Sequence, residues 1–248
     1  MKIVTFNLRH DKDRWEERRP LVVTELARLA ADVIAFQEVA LLIGQAHYLA
    51  ARLGEATGRP YEVLADAKPE PESQEGLAVL TRLEVLGHER RELPGGHRIA
   101  QRVTVRAGSA PVNIVNTHLH HRPIGSERTR LKQARYLLDW FDTWTDGETG
   151  LVLLGDMNAT PDSNTIALIR QRFASAHATI HGREPDGTFP TPLVGLPWPQ
   201  RTLDYIFYSP GRFHVTDARL AFMESSPEDD TLYPSDHYGL LVELEPAG

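Results

Sequence analysis

The sequence predicts an α/β fold, and three observations carry that prediction. Strand-like and helix-like runs alternate through the first third of the chain. Val33 to Phe36 is a continuous apolar run of the kind found in a strand covered on both faces. Ile99 to Val105 instead alternates like a half-exposed antiparallel strand. A chain of 248 residues has room for a sizeable core, and no segment reads as a linker, so one domain spanning residues 1–248 is expected.

The elements follow in order. Lys2 to Phe6 reads as a β-branched strand, and Pro20 as the first turn of a helix that places Val22, Val23, Leu26 and Leu29 at helical spacing. After the Val33–Phe36 strand, Ile43 to Leu53 repeats the helical pattern, and the acidic, proline-rich stretch 68–75 reads as a loop. Gly76 to Leu80 is strand-like; a turn at Gly108-Ser109 separates the Ile99–Val105 strand from one over Val112 to Thr117. Leu131, Ala134, Leu138 and Phe141 mark a helix ending before Asp146-Gly147, and Leu151 to Leu154 is a buried strand. Asp162 or Ser163 caps a helix carrying Ile166, Ile169 and Phe173. A long Pro- and Gly-rich loop over 182–200 precedes three last strands, Thr202 to Tyr208, Val215 to Phe222 and Tyr238 to Glu243.

The polar residues at the ends of these strands carry the chemistry. Asn7, Glu38, His118 and Asp156 (in Gly155-Asp156-Met157-Asn158) each follow a short apolar run, while Asp204 and Asp236-His237 adjoin the last two. Strands of one sheet would deliver such residues to a common rim. One polar strand end is ordinary loop chemistry; six, all of metal-ligand or acid/base type, read as an active site. A strand–polar residue, helix, strand–acid pattern occurs at Asn7/Glu38 and again, with different spacing, at His118/Asp156. Two similar halves facing each other would put both acids on one rim.

Composition narrows the function. Net charge is −7, which argues against indiscriminate nucleic-acid binding because phosphate neutralisation needs clustered Lys and Arg. With no cysteine in the chain, disulfide, thiolate and zinc–thiolate chemistry are excluded. No G-x-S-x-G motif occurs, no run approaches the roughly 20 apolar residues of a membrane span, and the N-terminal run lacks the features of a signal peptide. These point to a cytoplasmic protein with no membrane span.

The ordered set TFNLRH, IAFQEV, EGLAVLT, VNTHLHH, LLGDMNATP, LDYIFYS and PSDHYGL, spread over the whole chain, resembles the endonuclease/exonuclease/phosphatase (DNase I-like) superfamily. The resemblance implies a four-layer α/β sandwich, two mixed sheets flanked by helices. It implies a divalent-metal-dependent phosphoesterase that hydrolyses a phosphodiester or phosphomonoester by in-line attack of an activated water. Glu38 is then the principal metal ligand, with Asn7 beside it and Asp236 completing the shell; such hard oxygens suit Mg²⁺, with Mn²⁺ able to substitute. His237, held by Asp204, and Asp156, oriented by Asn158, are rival bases for the water, and the sequence leaves that choice open. His118 resembles the histidine that stabilises the pentacovalent phosphate, and Glu75 occupies the position of a carboxylate that pairs with it in some members. His120 and His121 read as surface histidines. Arg128 or Arg130 could reach a substrate phosphate, although solvation on a helix surface is the blander expectation.

Several branches fit less well. Arg9 stands where nucleases of abasic sites tend to carry an acid, the inositol-phosphatase motifs are missing, and no leader of the secreted sphingomyelinases is seen. The expected partner is a phosphate-ester substrate, small molecule or nucleic acid, bound by a monomer. A nuclease acting on DNA or RNA is the alternative. A catalytically inactive scaffold would show damage at Glu38, Asp156, Asn158, Asp204, Asp236 or His237, and all six are present.

Overall fold

The structure is a computed structural model that describes residues 1–69, 74–121, 127–144, 149–195 and 197–247. Along the chain the elements are β1 (Lys2–Asn7), α1 (Trp15–Leu29), β2 (Val33–Ala40), α2 (Gln45–Thr57), β3 (Glu62–Ala67), β4 (Glu75–Thr81), β5 (Val85–Leu93), β6 (Arg98–Ala107) and β7 (Ala110–His118). They continue with α3 (Arg128–Asp142), β8 (Gly150–Asp156), α4 (Asn164–Ile169), β9 (Ala174–Ser175), α5 (Ala176–His181), β10 (Asp204–Tyr208), β11 (Phe213–Ala221) and β12 (Gly239–Pro246). The strands form two six-stranded mixed sheets, in the orders β11-β12-β1-β2-β4-β3 and β5-β6-β7-β8-β10-β9.

The two sheets share one plan. A central parallel pair, β1–β2 in the first and β7–β8 in the second, is flanked on both sides by antiparallel strands. The repeated strand–helix–strand pattern in the sequence is this plan. It also explains the continuous apolar runs, since the central strands are buried on both faces. Ile3, Val33, Val79, Val103, Ile114, Val152 and Ile206 meet between the sheets. On the outer face of the first sheet, Val22 and Leu26 of α1 and Leu49 and Leu53 of α2 pack on Val4, Phe6, Ile34 and Phe36. On that of the second, Leu137, Leu138 and Phe141 of α3 and Ile166 and Ile169 of α4 pack on Val115, Leu151 and Leu153. The result is the expected four-layer α/β sandwich.

Buried polar groups join the sheets at one level. Asn116 of β7 donates to the carbonyls of Phe36 (3.0 Å) and Ala78 (3.2 Å) across the interface. Its own side-chain oxygen accepts from the Gln37 amide at 2.8 Å, and that amide also reaches Thr5 Oγ1 at 3.1 Å. Such a network is costly unless every member is satisfied, so it selects one relative placement of the sheets.

Local details depart from the sequence reading. Pro20 lies inside α1, which starts five residues earlier at Trp15; the hydrogen bond it forgoes would go to the carbonyl of Glu16, an exposed residue. Ser163 does cap α4, accepting from the Ile166 amide at 3.2 Å, but that helix ends at Ile169 and Phe173 lies beyond it. β3, β5, β9 and α5 carry no pattern that the sequence reading used. The expected helix stop at Asp146-Gly147, and residues 70–73 of the acidic loop, lie outside the described residues. No helix is long and apolar enough to cross a membrane among the described residues.

Asn116→Ala removes one partner from three buried groups, the carbonyls of Phe36 and Ala78 and the Gln37 amide. An unsatisfied buried group costs about 1–3 kcal/mol, so the variant should lose on the order of 3 kcal/mol. Denaturant unfolding should show this as a lower midpoint at an unchanged m-value.

Candidate active site

Topology decides which residues share a rim. The ends of the parallel strands β1, β2, β7 and β8 lie at one edge of the sandwich, and their antiparallel neighbours β4, β6, β10 and β12 start there. Asn7, Glu38, His118 and Asp156 therefore meet Glu75, Arg98, Asp204 and the Asp236-His237 pair. All but Asn7 and Asp204 line a cleft of about 850 Å³ whose wall also includes Arg130, Asn158, Phe189, Trp198 and Arg201.

Two backbone features aim the carboxylates. In β2 the ladder shifts between Phe36 and Val39, so two residues oppose one in β4, and Glu38 has φ +50°. This bulge brings Gln37 and Glu38 to the cleft side together, and Val39 returns to the outer core. In β8 no bulge is needed, because Val152 and Leu154 already face the other sheet and Asp156 continues their phase. Gly155 precedes it at φ +126°, and any Cβ there would sit 2.0 Å from the Thr117 carbonyl oxygen. Only glycine lets β7 and β8 approach so closely beside the site.

Asn7 links the halves. Its amide nitrogen points to Asp156 Oδ2 (3.2 Å) and Glu38 Oε1 (3.4 Å), while its oxygen accepts from the Arg9 backbone at 3.0 Å. In this arrangement Asn7 acts as a donor holding two carboxylates; serving as an oxygen ligand, as the sequence reading had it, requires the amide to turn over. Burial, then the nearby charges of Glu75 and Asp236, raise the Glu38 pKa. Three carboxylates that repel one another around a partly buried point are the chemistry of a hard divalent cation, so Glu38, with Asp236, fits the metal role. Asp236 is paired meanwhile by the Arg9 guanidinium at 2.9 Å.

The expected Glu75–His118 pairing gives way to a different one. Glu75 is ion-paired with Lys68 and lies 3.9 Å from Arg98. Arg98 Nη1 points at His118 Nδ1 (2.9 Å) and Nη2 at His121 Nδ1 (2.8 Å). A guanidinium can only donate, so His118 is neutral with its proton on Nε2, which faces Asp156 Oδ2 at 3.3 Å. Burial first, then the charges of Arg98 and Lys68, hold its pKa well below the usual imidazole range. His121, expected to face away, is drawn to the cleft wall by the same fork.

His237 is the opposite case. Its Nδ1 bonds Asp204 Oδ2 at 2.8 Å and its Nε2 lies 3.9 Å from Asp156 Oδ2. Burial alone would favour the neutral ring, but Asp204, Asp236 and Asp156 outweigh it and raise the pKa to about 10. Asp156 is raised too, by burial first and the Asp204 charge second, and it accepts the Asn158 backbone amide at 2.8 Å. Asp156, Asp204 and His237 also bring donor atoms within 4.8 Å of one another. An imidazolium between two carboxylates already supplies the balancing charge there, so this trio is a proton-bearing relay more than a cation site.

Further residues hold the relay in place. Thr188 Oγ1 accepts from the backbone amides of Leu203 and Asp204, and its carbonyl accepts from Tyr238. The Thr191 amide and hydroxyl donate to the Asp236 and Ser235 carbonyls. The 188–191 segment thus fastens Asp204 to the Asp236-His237 loop. Arg18, fully buried, donates to the carbonyls of Leu8, Lys12, Asp13 and Pro234, and so ties the Arg9 loop to the same segment.

Seven of the nine residues expected at the site line the cleft; Asn7 and Asp204 stand behind it, bonded to Asp156 and to His237. The sequence reading missed Arg98, Lys68, Thr188, Thr191 and Arg18. For Arg98 a signal existed: it opens the strand antiparallel to the one ending in His118, and such strand starts share the rim.

The sandwich and its rim define a four-layer α/β architecture whose two sheets each contribute half of one polar site. The chain belongs to the Endonuclease/Exonuclease/phosphatase family, whose pattern it matches over residues 4–237. It is similar to Nocturnin of Rattus norvegicus (28% identical over 259 residues, covering 93% of this chain and 59% of that protein) and of Xenopus laevis (28%, covering 93% and 65%). The chain therefore spans about three fifths of the length of these relatives. Similar solved structures include the human Nocturnin catalytic domain with bound sulfate anion (TM-score 0.79, 22% identity, 99% of this chain and 94% of that one). D. rerio TDP2 complexed with a single-strand DNA product (0.81, 17%, 99% and 98%) and the Bacteroides thetaiotaomicron mannosyl-6-phosphatase (0.74, 19%, 99% and 99%) share the same fold.

The His237–Asp204 pair can be checked in the metal-free protein. Because the folded-state pKa lies above the unfolded value of about 6.5, the pair stabilises the fold fully below that pH. The contribution fades as the pH rises towards 10. Nitrogen NMR should find both ring nitrogens protonated at pH 8, and Asp204→Asn should bring the titration down into the ordinary histidine range.

Proposed function

We propose that this chain is a divalent-metal-dependent phosphoesterase that hydrolyses a phosphate ester by in-line attack of water. The observation that carries the reading is the meeting of a carboxylate cluster at the rim of one sheet, Glu38 with Glu75 and Asp236, and a His–Asp relay that bridges to the other, His237 beside Asp236 with Asp204 and Asp156. The similar structures include a mannosyl-6-phosphatase and a TDP2 with a DNA product, proteins whose ligands share a phosphate ester. Glu38 and Asp236 would hold the cation, with Asn7 orienting Glu38. A bound Mg²⁺ or Mn²⁺ supplies Lewis-acid charge at a phosphoryl oxygen.

The protein's own groups divide the remaining work by charge. His237, carrying protons on both nitrogens, has no lone pair with which to take a proton; its Nε2–H donates to a non-bridging oxygen and stabilises the charge that builds there. His118, neutral with its proton on Nε2, is a second donor of the same kind. Asp156 is the group left to orient the attacking water and accept its proton, and its raised pKa moves it towards the neutral range where general bases work best. Asn158, whose amide is tied to the Leu119 carbonyl at 3.1 Å, fixes the turn that presents Asp156.

The test is hydrolysis of a panel with Mg²⁺, Mn²⁺ or EDTA: single-stranded and duplex DNA, RNA, a generic phosphodiester, phosphomonoesters and a phospholipid. Metal-dependent turnover of one class is expected. Asp156→Ala should abolish it while thermal unfolding stays cooperative; near-normal turnover in that variant would remove Asp156 from the mechanism. His237→Gln should lose about 10²–10³ in kcat, as removal of one donor to a developing oxyanion does. Glu38→Gln should weaken Mg²⁺ binding in calorimetry without substrate, and unaltered affinity would move the cation elsewhere.

A further inference from the structure

Two histidines outside the cleft are arranged as metal ligands. His177 and His181 stand at positions i and i+4 of α5, which share one helix face. Their ring centroids lie 4.3 Å apart and their planes are inclined by 37°. Neither residue lines the cleft, and the hydrolase reading uses neither.

Hydrogen bonding decides which nitrogen of each ring is free. His177 Nδ1 bonds the Arg183 carbonyl at 2.8 Å, and His181 Nε2 bonds the Ala218 carbonyl of β11 at 2.6 Å. A carbonyl only accepts, so each of these two nitrogens carries a proton. The lone pairs of the neutral rings then sit on His177 Nε2 and His181 Nδ1, and neither atom has a hydrogen-bond partner among the described residues. A ring N–H tied to a backbone carbonyl supports metal-bound histidines in general, because it fixes both the tautomer and the ring orientation. Both rings here have that support, one from the turn after α5 and one from the first sheet.

The spacing says which ion. Two imidazoles bonded at about 2.0–2.1 Å to one ion have centroids roughly 4.5 Å apart at a right angle and roughly 5.2 Å apart at a tetrahedral one. The observed 4.3 Å is nearer the right angle, which suits the tetragonal preference of Cu²⁺ and Ni²⁺ over tetrahedral Zn²⁺. Imidazole nitrogen also separates these residues from the carboxylates of the cleft, whose hard oxygens favour Mg²⁺.

We propose that His177 and His181 form a metal site on α5, separate from the cleft, that takes a late first-row divalent transition ion, Cu²⁺ or Ni²⁺, with water completing its shell. The site is independent of the hydrolase reading. Calorimetry with Ni²⁺ tests it on the whole chain, in excess Mg²⁺ to suppress binding at the cleft carboxylates. The wild type should take up a single equivalent. His177→Ala and His181→Ala should each weaken it by about 10²-fold, since either leaves one imidazole where two had acted as a chelate. Ni²⁺ should also raise the Tm of the wild type and leave that of both variants in place. A second arm needs no variant: substoichiometric Cu²⁺ should broaden the amide NMR signals of α5 and of β11 around Ala218 before any others.

A wild type that binds no Ni²⁺ in excess Mg²⁺ overturns the proposal, as does an affinity unchanged in both variants. Loss in one variant only would mean a single imidazole ligand and overturns the chelate as well. Broadening centred on the cleft histidines, His118 and His237, would place the ion there and count against α5 whatever the variants do.

Discussion

The site depends on how one sheet is placed over the other. Sheets packed face to face lie about 10 Å apart, and apolar side chains alone would tolerate small slides between them. The Asn116 amide removes that freedom, because its two donors are matched to the carbonyls of Phe36 and Ala78 and its oxygen to Gln37. Those partners sit within two residues of Glu38 and three of Glu75. The contact that sets the sheet-to-sheet placement is thus one to three residues from the rim where a carboxylate of one sheet must meet an imidazole of the other. A displaced Asn116 would leave several buried groups unsatisfied and pull the halves of the site apart in the same motion.

Charge distribution in the cleft follows from that convergence. Five carboxylates meet there, Glu38, Glu75, Asp156, Asp204 and Asp236, and the fold meets them with cations from its own chain. Lys68 pairs with Glu75, Arg9 with Asp236, and His237 lies between Asp204 and Asp156. Among the described residues Glu38 has no such cation at ion-pair distance, its neighbour being the neutral His118 at 4.0 Å, and burial with the charges of Glu75 and Asp236 raises its pKa. The protein therefore leaves one negative position at the rim without a cation of its own. A divalent cation entering there would relieve the repulsion among Glu38, Glu75 and Asp236.

Much of this was legible in the sequence because strand ends are local signals. An apolar run followed by Asn, Glu, His or Asp needs no tertiary knowledge to be read, and Asn7, Glu38, His118, Asp156, Asp204, Asp236 and His237 all met at the rim. Residues that act through another side chain were harder to read. Arg98 looks like the polar start of a half-exposed strand until its antiparallel partner is known, and Thr188 and Thr191 lie in a Pro- and Gly-rich stretch with no periodicity. Arg130 follows the polar pattern expected of a helix surface, and only tertiary structure shows that it is buried. The Glu75–His118 pairing failed for a similar reason, since an arginine reached the histidine first. Short elements such as β9 and α5 carry too few residues for a period to show.

The repeated plan of the two sheets explains both the shared rim and the division of roles across it. In the second sheet His118 pairs in register with Asp156, and alternation along β7 and β8 carries both to the face between the sheets. In the first sheet the equivalent register pairs Asn7 with Gln37, not with Glu38. Regular alternation after Val33 and Ala35 would therefore put Gln37 in the cleft and turn Glu38 outward into the apolar layer under α1 and α2. The bulge changes that by one residue: Gln37 remains inward to serve the Asn116 network, and Glu38 joins it on the same side. The cost is a glutamate at φ +50°, in the left-handed region, on the order of 1–3 kcal/mol for a residue without glycine's freedom. One strand position thereby supplies both the contact that fixes the sheets and the carboxylate that faces the cation, and the two otherwise similar halves become chemically different.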